Sequence, residues 1–236
     1  MVERLSGPPG PSTEVALLAK RFDRAKSRLD LAPQLRSRLA AAMLLDTLAA
    51  VLPVAARVAV VTSEPDLASR LSGRLGAGRL RTVVIIDDPG ELNRAVAAAD
   101  RWFDATPTDP AIDLRIAMAA DLPALTAAEF AAVTAEAAQH SRSFVADAAG
   151  TGTTLVAASQ RSLLSHFGPG SAERHRSAGL ASLTAGPGAR HDVDTVADLA
   201  AAARLGVGPY TKALLPPHTI AETPTGPAPQ REPCRD

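Results

Sequence analysis

Arg57-Val58-Ala59-Val60-Val61-Thr62 is a short, β-branched apolar run with no polar residue inside it. Such a run reads as a strand buried on both faces, as strands are in a parallel sheet covered by helices. Glu64-Pro65, directly after it, opens a helix. The same strand-then-helix unit recurs on either side. Upstream, Val15-Ala16-Leu17-Leu18 forms a first strand, and Leu35, Leu39, Met43, Leu44 and Leu48 fall at helical spacing behind it. Downstream, Thr82-Val83-Val84-Ile85-Ile86 is a third strand, ending in Asp87-Asp88-Pro89-Gly90 before a helix over Glu91 to Trp102. Asp113 to Met118 is a fourth, with the chain turning at Asp121 ahead of a helix from Thr126 to Ala138. Ser143 to Ala146 and Thr154 to Ala157 read as paired strands, and Thr195 to Leu205 as a closing helix. This alternation predicts an α/β sheet with crossover helices.

No repeat and no linker-like stretch interrupts the pattern. One domain over 14–213 is therefore expected, between a flexible tail at 1–13 and a flexible Pro-rich tail at 214–236. The 236 residues carry 25 basic and 25 acidic side chains, for a formal net charge of zero. Neutrality argues against sequence-independent nucleic-acid binding, which needs a cationic excess. No stretch of about 18 apolar residues predicts a membrane span, and the N-terminus lacks the apolar core of a signal peptide. Cys234 is the lone cysteine, so neither a disulfide framework nor a Cys-based metal site is expected. A soluble, cytoplasmic protein follows, with neither nucleic acid nor membrane as partner. The 49 alanines and the 22 arginines against three lysines read mainly as coding bias, which makes the pair Lys20 and Lys26 stand out.

In open α/β sheets, ligands bind beyond the carboxyl ends of the strands. Asp121 lies there, after the fourth strand, and Asp192 and Asp194 sit two apart in an extended segment. Three oxygen ligands from two segments suit a hard divalent cation such as Mg²⁺. The same residues equally serve as a turn former at Asp121 and a helix cap at Asp194-Thr195. Lys20, Arg21, Arg24, Lys26 and Arg28 follow the first strand, a placement suited to clamping a triphosphate or to forming a solvated basic helix face. Gly150-Thr151-Gly152-Thr153-Thr154 offers N–H groups and hydroxyls to an anion. Phe167-Gly168-Pro169-Gly170-Ser171 leads into a helix that Ser171 can cap, with Arg174 and His175 in its first turn. Neither loop matches a P-loop or dinucleotide fingerprint. The five histidines are scattered and read as structural or surface residues. A mechanism without a general base suits this inventory.

In this order, the stretches 20–29, Met43 to Leu48, Ala120 to Leu125, Asp147 to Leu155, Phe167 to His175 and Asp192 to Thr195 resemble the 2-phospho-L-lactate/phosphoenolpyruvate guanylyltransferase family of coenzyme F-420 biosynthesis. The likeness spans about residues 14 to 213, and its most specific parts are the GTGTT and FGPGSAxRH stretches. The resemblance implies a single-domain nucleotidyltransferase fold, with a twisted, mixed but mostly parallel sheet between helices, similar to molybdenum-cofactor guanylyltransferases. It implies that GTP and phosphoenolpyruvate, or 2-phospho-L-lactate, give a diphosphate-linked guanosine and pyrophosphate. It also implies a hand-off of the product to the downstream transferase of that pathway. By resemblance, Asp121, Asp192 and Asp194 hold Mg²⁺. Thr153, Gly168 and Ser171 bind phosphoenolpyruvate, while Lys20, Lys26 and Arg28 face the GTP phosphates. Asn93 is placed on the nucleoside side. Two departures, the longer Pro-rich N-terminal tail and Leu18-Ala19 ahead of Lys20, touch no proposed ligand.

Two other readings compete. One is a non-catalytic nucleotide-binding regulator, which loss of the aspartates would favour. The other is a sugar-phosphate or molybdopterin nucleotidyltransferase, which usually carries a glycine-rich loop where this chain has its Lys/Arg-rich segment.

Overall fold

The computed structural model describes residues 10–23, 29, 31–65, 67–72, 83–107, 112–160 and 162–216. The strands are β1 (Thr13–Leu18), β2 (Arg57–Val61), β3 (Val83–Ile86), β4 (Leu114–Ala119), β5 (Arg142–Ala146), β6 (Thr153–Ser159) and β7 (Ala181–Ser182). They pair into one sheet in the order β3-β2-β1-β4-β6-β5-β7. Every pairing is parallel except those of β6, which runs antiparallel to β4 and to β5. The mixed, mostly parallel sheet is as expected. That β6 inserts between β4 and β5 was not legible in the sequence.

The helices are α1 (Pro33–Val51), α2 (Leu67–Ser72), α3 (Leu92–Ala105), α4 (Ala127–Ala137), α5 (Ser171–Ser177), α6 (Pro187–Arg190), α7 (Val196–Leu205) and α8 (Pro209–Lys212). None among the described residues is long and apolar enough to cross a membrane. Strand side chains alternate between the two faces. Val15, Leu17, Val58, Val60, Ile116 and Met118 pack on one face with Leu44 and Leu48 of α1 and Phe130 and Val133 of α4. Ala16, Ala59, Ala117, Phe144 and Val156 pack on the other with Val96, Ala99 and Phe103 of α3. The run of alanines on this second face lets α3 lie close against the sheet.

Polar residues pin the start of the sheet. Glu14 is buried and stands in register with Arg57 of β2 and Arg115 of β4. It pairs with both guanidinium groups, at 3.0 Å to Arg115 Nε. Arg115 reaches on to Asp100 and Asp104 of α3, and Arg57 lies over the Trp102 ring.

Several boundaries differ from expectation. β1 begins at Thr13, inside the expected 1–13 tail, because Thr13 O accepts from Ala56 N and Asp113 accepts from Ser12 N. α2 begins at Leu67 and not at Glu64-Pro65. Glu64 is occupied elsewhere, its carboxylate accepting from Phe22 N at 2.9 Å. After α8, Leu214 and Leu215 pack on a cluster that includes Leu39, Met43 and Val193, so the packed chain runs past 213. Thr82, residues 1–9 and residues 217–236 lie outside the described residues.

Candidate active site

The crossovers from β1 to β2 and β3 run one way along the sheet, and β4 lies on the other side of β1. The carboxyl ends of β1 and β4 therefore flank a topological switch point, where α/β sheets bind ligands. A cavity of about 660 Å³ opens there, well within the size range of small-molecule sites. Its walls include Lys20 after β1, Asp121 after β4, Thr153 at the start of β6, the Gly168 to Ser171 loop, and Asp192 and Asp194. Lys26 and Arg28 lie outside the described residues.

The two acidic segments are built into contact. Thr47 of α1 is fully buried, and its Oγ1 accepts from Leu122 N at 3.1 Å. The same hydroxyl donates toward Met43 O at 2.9 Å and Ala120 O at 3.2 Å. The turn that carries Asp121 is thus held on both sides. Val193 N then donates to Asp121 O at 3.2 Å. Val193 is buried, and its neighbours Asp192 and Asp194 both reach the cavity wall. The cap of α7 is Thr195, whose side chain accepts from Asp198 N while Asp198 bonds back to Thr195 N. Asp194 is therefore not the cap. Glu129 extends the scaffold, closing a capping box with Thr126 and accepting from Gly188 N at 3.0 Å. A Cβ at Gly188 would stand 2.4 Å from Ala124 O, so no side chain fits there.

The glycine-rich loops work differently from the sequence reading. In the GTGTT stretch, Thr151 N and Gly152 N donate to the Asp147 carboxylate at 3.0 and 2.9 Å. These amides are spent on the protein. A Cβ on Gly152 would lie 2.4 Å from Asp147 Oδ2, which explains the glycine. At α5 the N-cap is Gly170 in a left-handed conformation and not Ser171. Ser171 N and Ala172 N donate to Gly168 O and Thr151 O, so the helix start does not present those two groups to an anion. Arg174 and His175 fall in the last turn of this short helix. The Arg174 guanidinium bonds the carbonyls of His166, at 2.7 Å, and Pro169, which fixes the loop from outside.

Hydroxyls and an imidazole remain. Ser171 Oγ donates to Thr153 Oγ1 at 3.0 Å, and His175 Nδ1 lies 2.9 Å from the same oxygen. His175 is fully buried, with Phe144 and Phe167 against its ring. Burial lowers its pKa to about 4, with His166 and Arg174 adding to the effect and the Ser171 backbone opposing it. Asn93, expected on the nucleoside side, accepts from Phe167 N at 2.8 Å and donates to Phe167 O at 3.2 Å. Leu92, its neighbour, is the residue of that turn on the cavity wall. Thr47, Glu129, Arg174 and His175 are the site-building residues that the sequence reading did not assign.

No family model matches the chain. It is 43% identical over 212 residues to the phosphoenolpyruvate guanylyltransferase of Geodermatophilus obscurus, covering 85% of this chain and 93% of that one. A protein of the same name from Mycolicibacterium paratuberculosis is 40% identical over 223 residues, covering 92% and 99%. The chain belongs to the phosphoenolpyruvate guanylyltransferase family. The fold of this family member is shared more widely. A structure from Desulfovibrio desulfuricans G20, described as a nucleotide-diphospho-sugar transferase, superposes with a TM-score of 0.63 at 18% identity, covering 86% of this chain and 93% of that one. The 4-diphosphocytidyl-2C-methyl-D-erythritol synthase of Anaerococcus prevotii gives 0.52 at 11% identity, covering 82% and 95%. Identities this low speak for the fold alone.

The guanylyltransferase cavity carries Asp121, Asp147, Asp192 and Asp194 against Lys20 among its described residues. No group of three His, Cys, Asp or Glu side chains among the described residues is gathered closely enough to hold a metal by itself. The donor set is nevertheless hard oxygen throughout. It fits Mg²⁺, which keeps several waters and takes other ligands from substrate phosphates.

Proposed function

We propose that this chain transfers the guanylyl group of GTP to phosphoenolpyruvate, forming enolpyruvoyl-2-diphospho-5'-guanosine and pyrophosphate for coenzyme F-420 biosynthesis. The observation that carries the reading is one cavity in which Asp121, Asp192 and Asp194 share the walls with Thr153, Gly168 and Ser171. A phosphate oxygen of the acid attacks the α-phosphorus of GTP, and the bond from that phosphorus to the β-phosphate bridging oxygen breaks. A phosphomonoester with a second pKa of about 6 is largely dianionic at neutral pH, so this nucleophile needs no base. The protein's part is to position the two reactants and stabilise charge.

In this reading Thr153 and Gly168 receive the phosphate and carboxylate of the acid, Ser171 supports Thr153 through the hydrogen bond that its hydroxyl donates, and Lys20 faces the GTP phosphates together with Lys26 and Arg28. Asp121, Asp192 and Asp194 are the residues that would hold Mg²⁺. Bound there, the ion supplies charge neutralisation and polarisation of phosphoryl oxygens. A cavity this acidic needs such a counter-charge before it accepts two polyanions. The acid substrate is phosphoenolpyruvate in preference to 2-phospho-L-lactate on the strength of the relatives' names. Incubation with GTP, Mg²⁺ and phosphoenolpyruvate is expected to release pyrophosphate. Absence of release with either acid, assayed with the product-consuming transferase present, would sink this reading.

A further inference from the structure

The direction of the hydrogen bonds around His175 is fixed by one contact. The backbone N–H of His166 donates to His175 Nε2 at 2.9 Å. A ring nitrogen that accepts carries no hydrogen, so the neutral imidazole has its proton on Nδ1. Nδ1 faces Thr153 Oγ1 at 2.9 Å and therefore donates to it. Ser171 Oγ donates to the same oxygen at 3.0 Å. Thr153 Oγ1 thus accepts twice, which leaves its own O–H to point away from both donors, and Thr153 is a residue of the cavity wall. The chain of bonds runs one way, from a backbone amide through an imidazole to a hydroxyl of a cavity-lining residue.

We propose that His175 is a positioning residue that polarises Thr153 and turns its hydroxyl proton onto the anionic groups of the phosphorylated acid substrate. This rests on the reading that Thr153 binds that acid. An acceptor-only phosphate or carboxylate needs a donor, and a hydroxyl free to rotate is as ready to offer a lone pair. The buried imidazole removes that freedom. Its surroundings keep it neutral, since Phe144 and Phe167 pack on the ring while the charge of Arg174 and the neighbouring His166 oppose an imidazolium. A proton on Nε2 would collide with the His166 N–H and break the chain at its first link.

The test combines kinetics with a spectrum of the unaltered protein. Thr153→Val raises KM for phosphoenolpyruvate, and His175→Phe, which keeps a ring, raises it by about tenfold while KM for GTP stays put. His175→Asn, whose amide can donate near the place of Nδ1, recovers most of the loss even though it is the smaller side chain. ¹⁵N NMR of wild-type His175 shows hydrogen on Nδ1 and a bare Nε2, and phosphoenolpyruvate shifts the Nδ1 signal more than GTP does. A proton found on Nε2 overturns the proposal. So does a raised KM for the acid in Thr153→Val with no change in His175→Phe, an outcome that leaves the binding role of Thr153 standing. If Thr153→Val and Ser171→Ala both leave that KM unchanged, the acid-binding reading fails and the relay falls with it. Equal losses toward both substrates in step with a fall in Tm would reduce His175 to a packing residue.

Discussion

The backbone N–H of Val193 donates to the carbonyl of Asp121 at 3.2 Å. This one bond joins a turn after the central strand β4 to an extended segment near the end of the domain. It places Asp121, Asp192 and Asp194 on the wall of a single cavity. Carboxylates from distant parts of the chain reach one cavity because buried Val193 anchors the segment that carries Asp192 and Asp194.

Removing any of these carboxylates should cost catalysis much more than folding. Asp121→Ala and Asp192→Ala are expected to lower kcat/KM by about a hundredfold or more, in line with losses seen when charge stabilisation is removed. Their Tm values stay within a few degrees of wild type, and the Mg²⁺ concentration for half-maximal rate rises. Wild-type activity in either variant would exclude that aspartate from the proposed Mg²⁺ site.

Thr47 should act on the same centre without touching a ligand. Thr47→Val keeps the side-chain shape but leaves buried Leu122 N without its acceptor. A loss of about 1–3 kcal/mol is expected from the denaturation midpoint, with a drop in kcat as the Asp121 turn shifts. Thr47→Ser keeps the hydroxyl and should restore most of both.

At the opposite end of the strands, Glu14→Gln separates stability from function. Two guanidinium groups would face a neutral amide, and breaking a buried ionic network by removing one charge costs about 3–5 kcal/mol. Chemical denaturation would show this loss. KM for GTP measured on the folded enzyme should not move, because Glu14 lies away from the cavity lining. A Glu14→Gln protein as stable as wild type would contradict the network's role.

The pH dependence of stability has a definite sign. In the unfolded chain a histidine titrates near ~6.5, whereas native His175 does so at about 4. Between these values the unfolded chain binds a proton that the native state refuses. The stability that His175 contributes is therefore complete above about pH 6.5, falls as the pH drops toward 4, and levels off below. The loss amounts to at most about 3 kcal/mol. His175→Asn lacks this component, so the gap between variant and wild type narrows from pH 7.5 to 4.5 in urea titrations. A constant gap would contradict it.

Much of the fold could be read from the chain. Runs such as Arg57 to Thr62 and Asp113 to Met118 have one physical explanation, burial on both faces of a sheet. The sheet order could not be read in the same way. Nothing local to Thr153–Ser159 says that it inserts antiparallel between β4 and β5, since that depends on which edge the chain reaches after α4. In the site, the strand-end rule located Asp121, and spacing put Asp192 and Asp194 on one side. The glycine loops misled because their amides looked available. Asp147, four residues before Thr151, was the signal that a carboxylate would claim them. His175 was hidden for a different reason. Its meaning depends on Thr153, which arrives from another strand, and no spacing along the chain encodes that meeting.

Product analysis decides whether the chain performs this reaction. The protein is incubated with Mg²⁺, all four nucleoside triphosphates and an equal mixture of phosphoenolpyruvate, 2-phospho-L-lactate and 3-phosphoglycerate, and the products are identified by mass spectrometry. A single dominant new species is expected, guanosine joined through a diphosphate to enolpyruvate, with pyrophosphate in equal amount. A dominant product built on another nucleoside, or on a sugar phosphate when one is added, would contradict it.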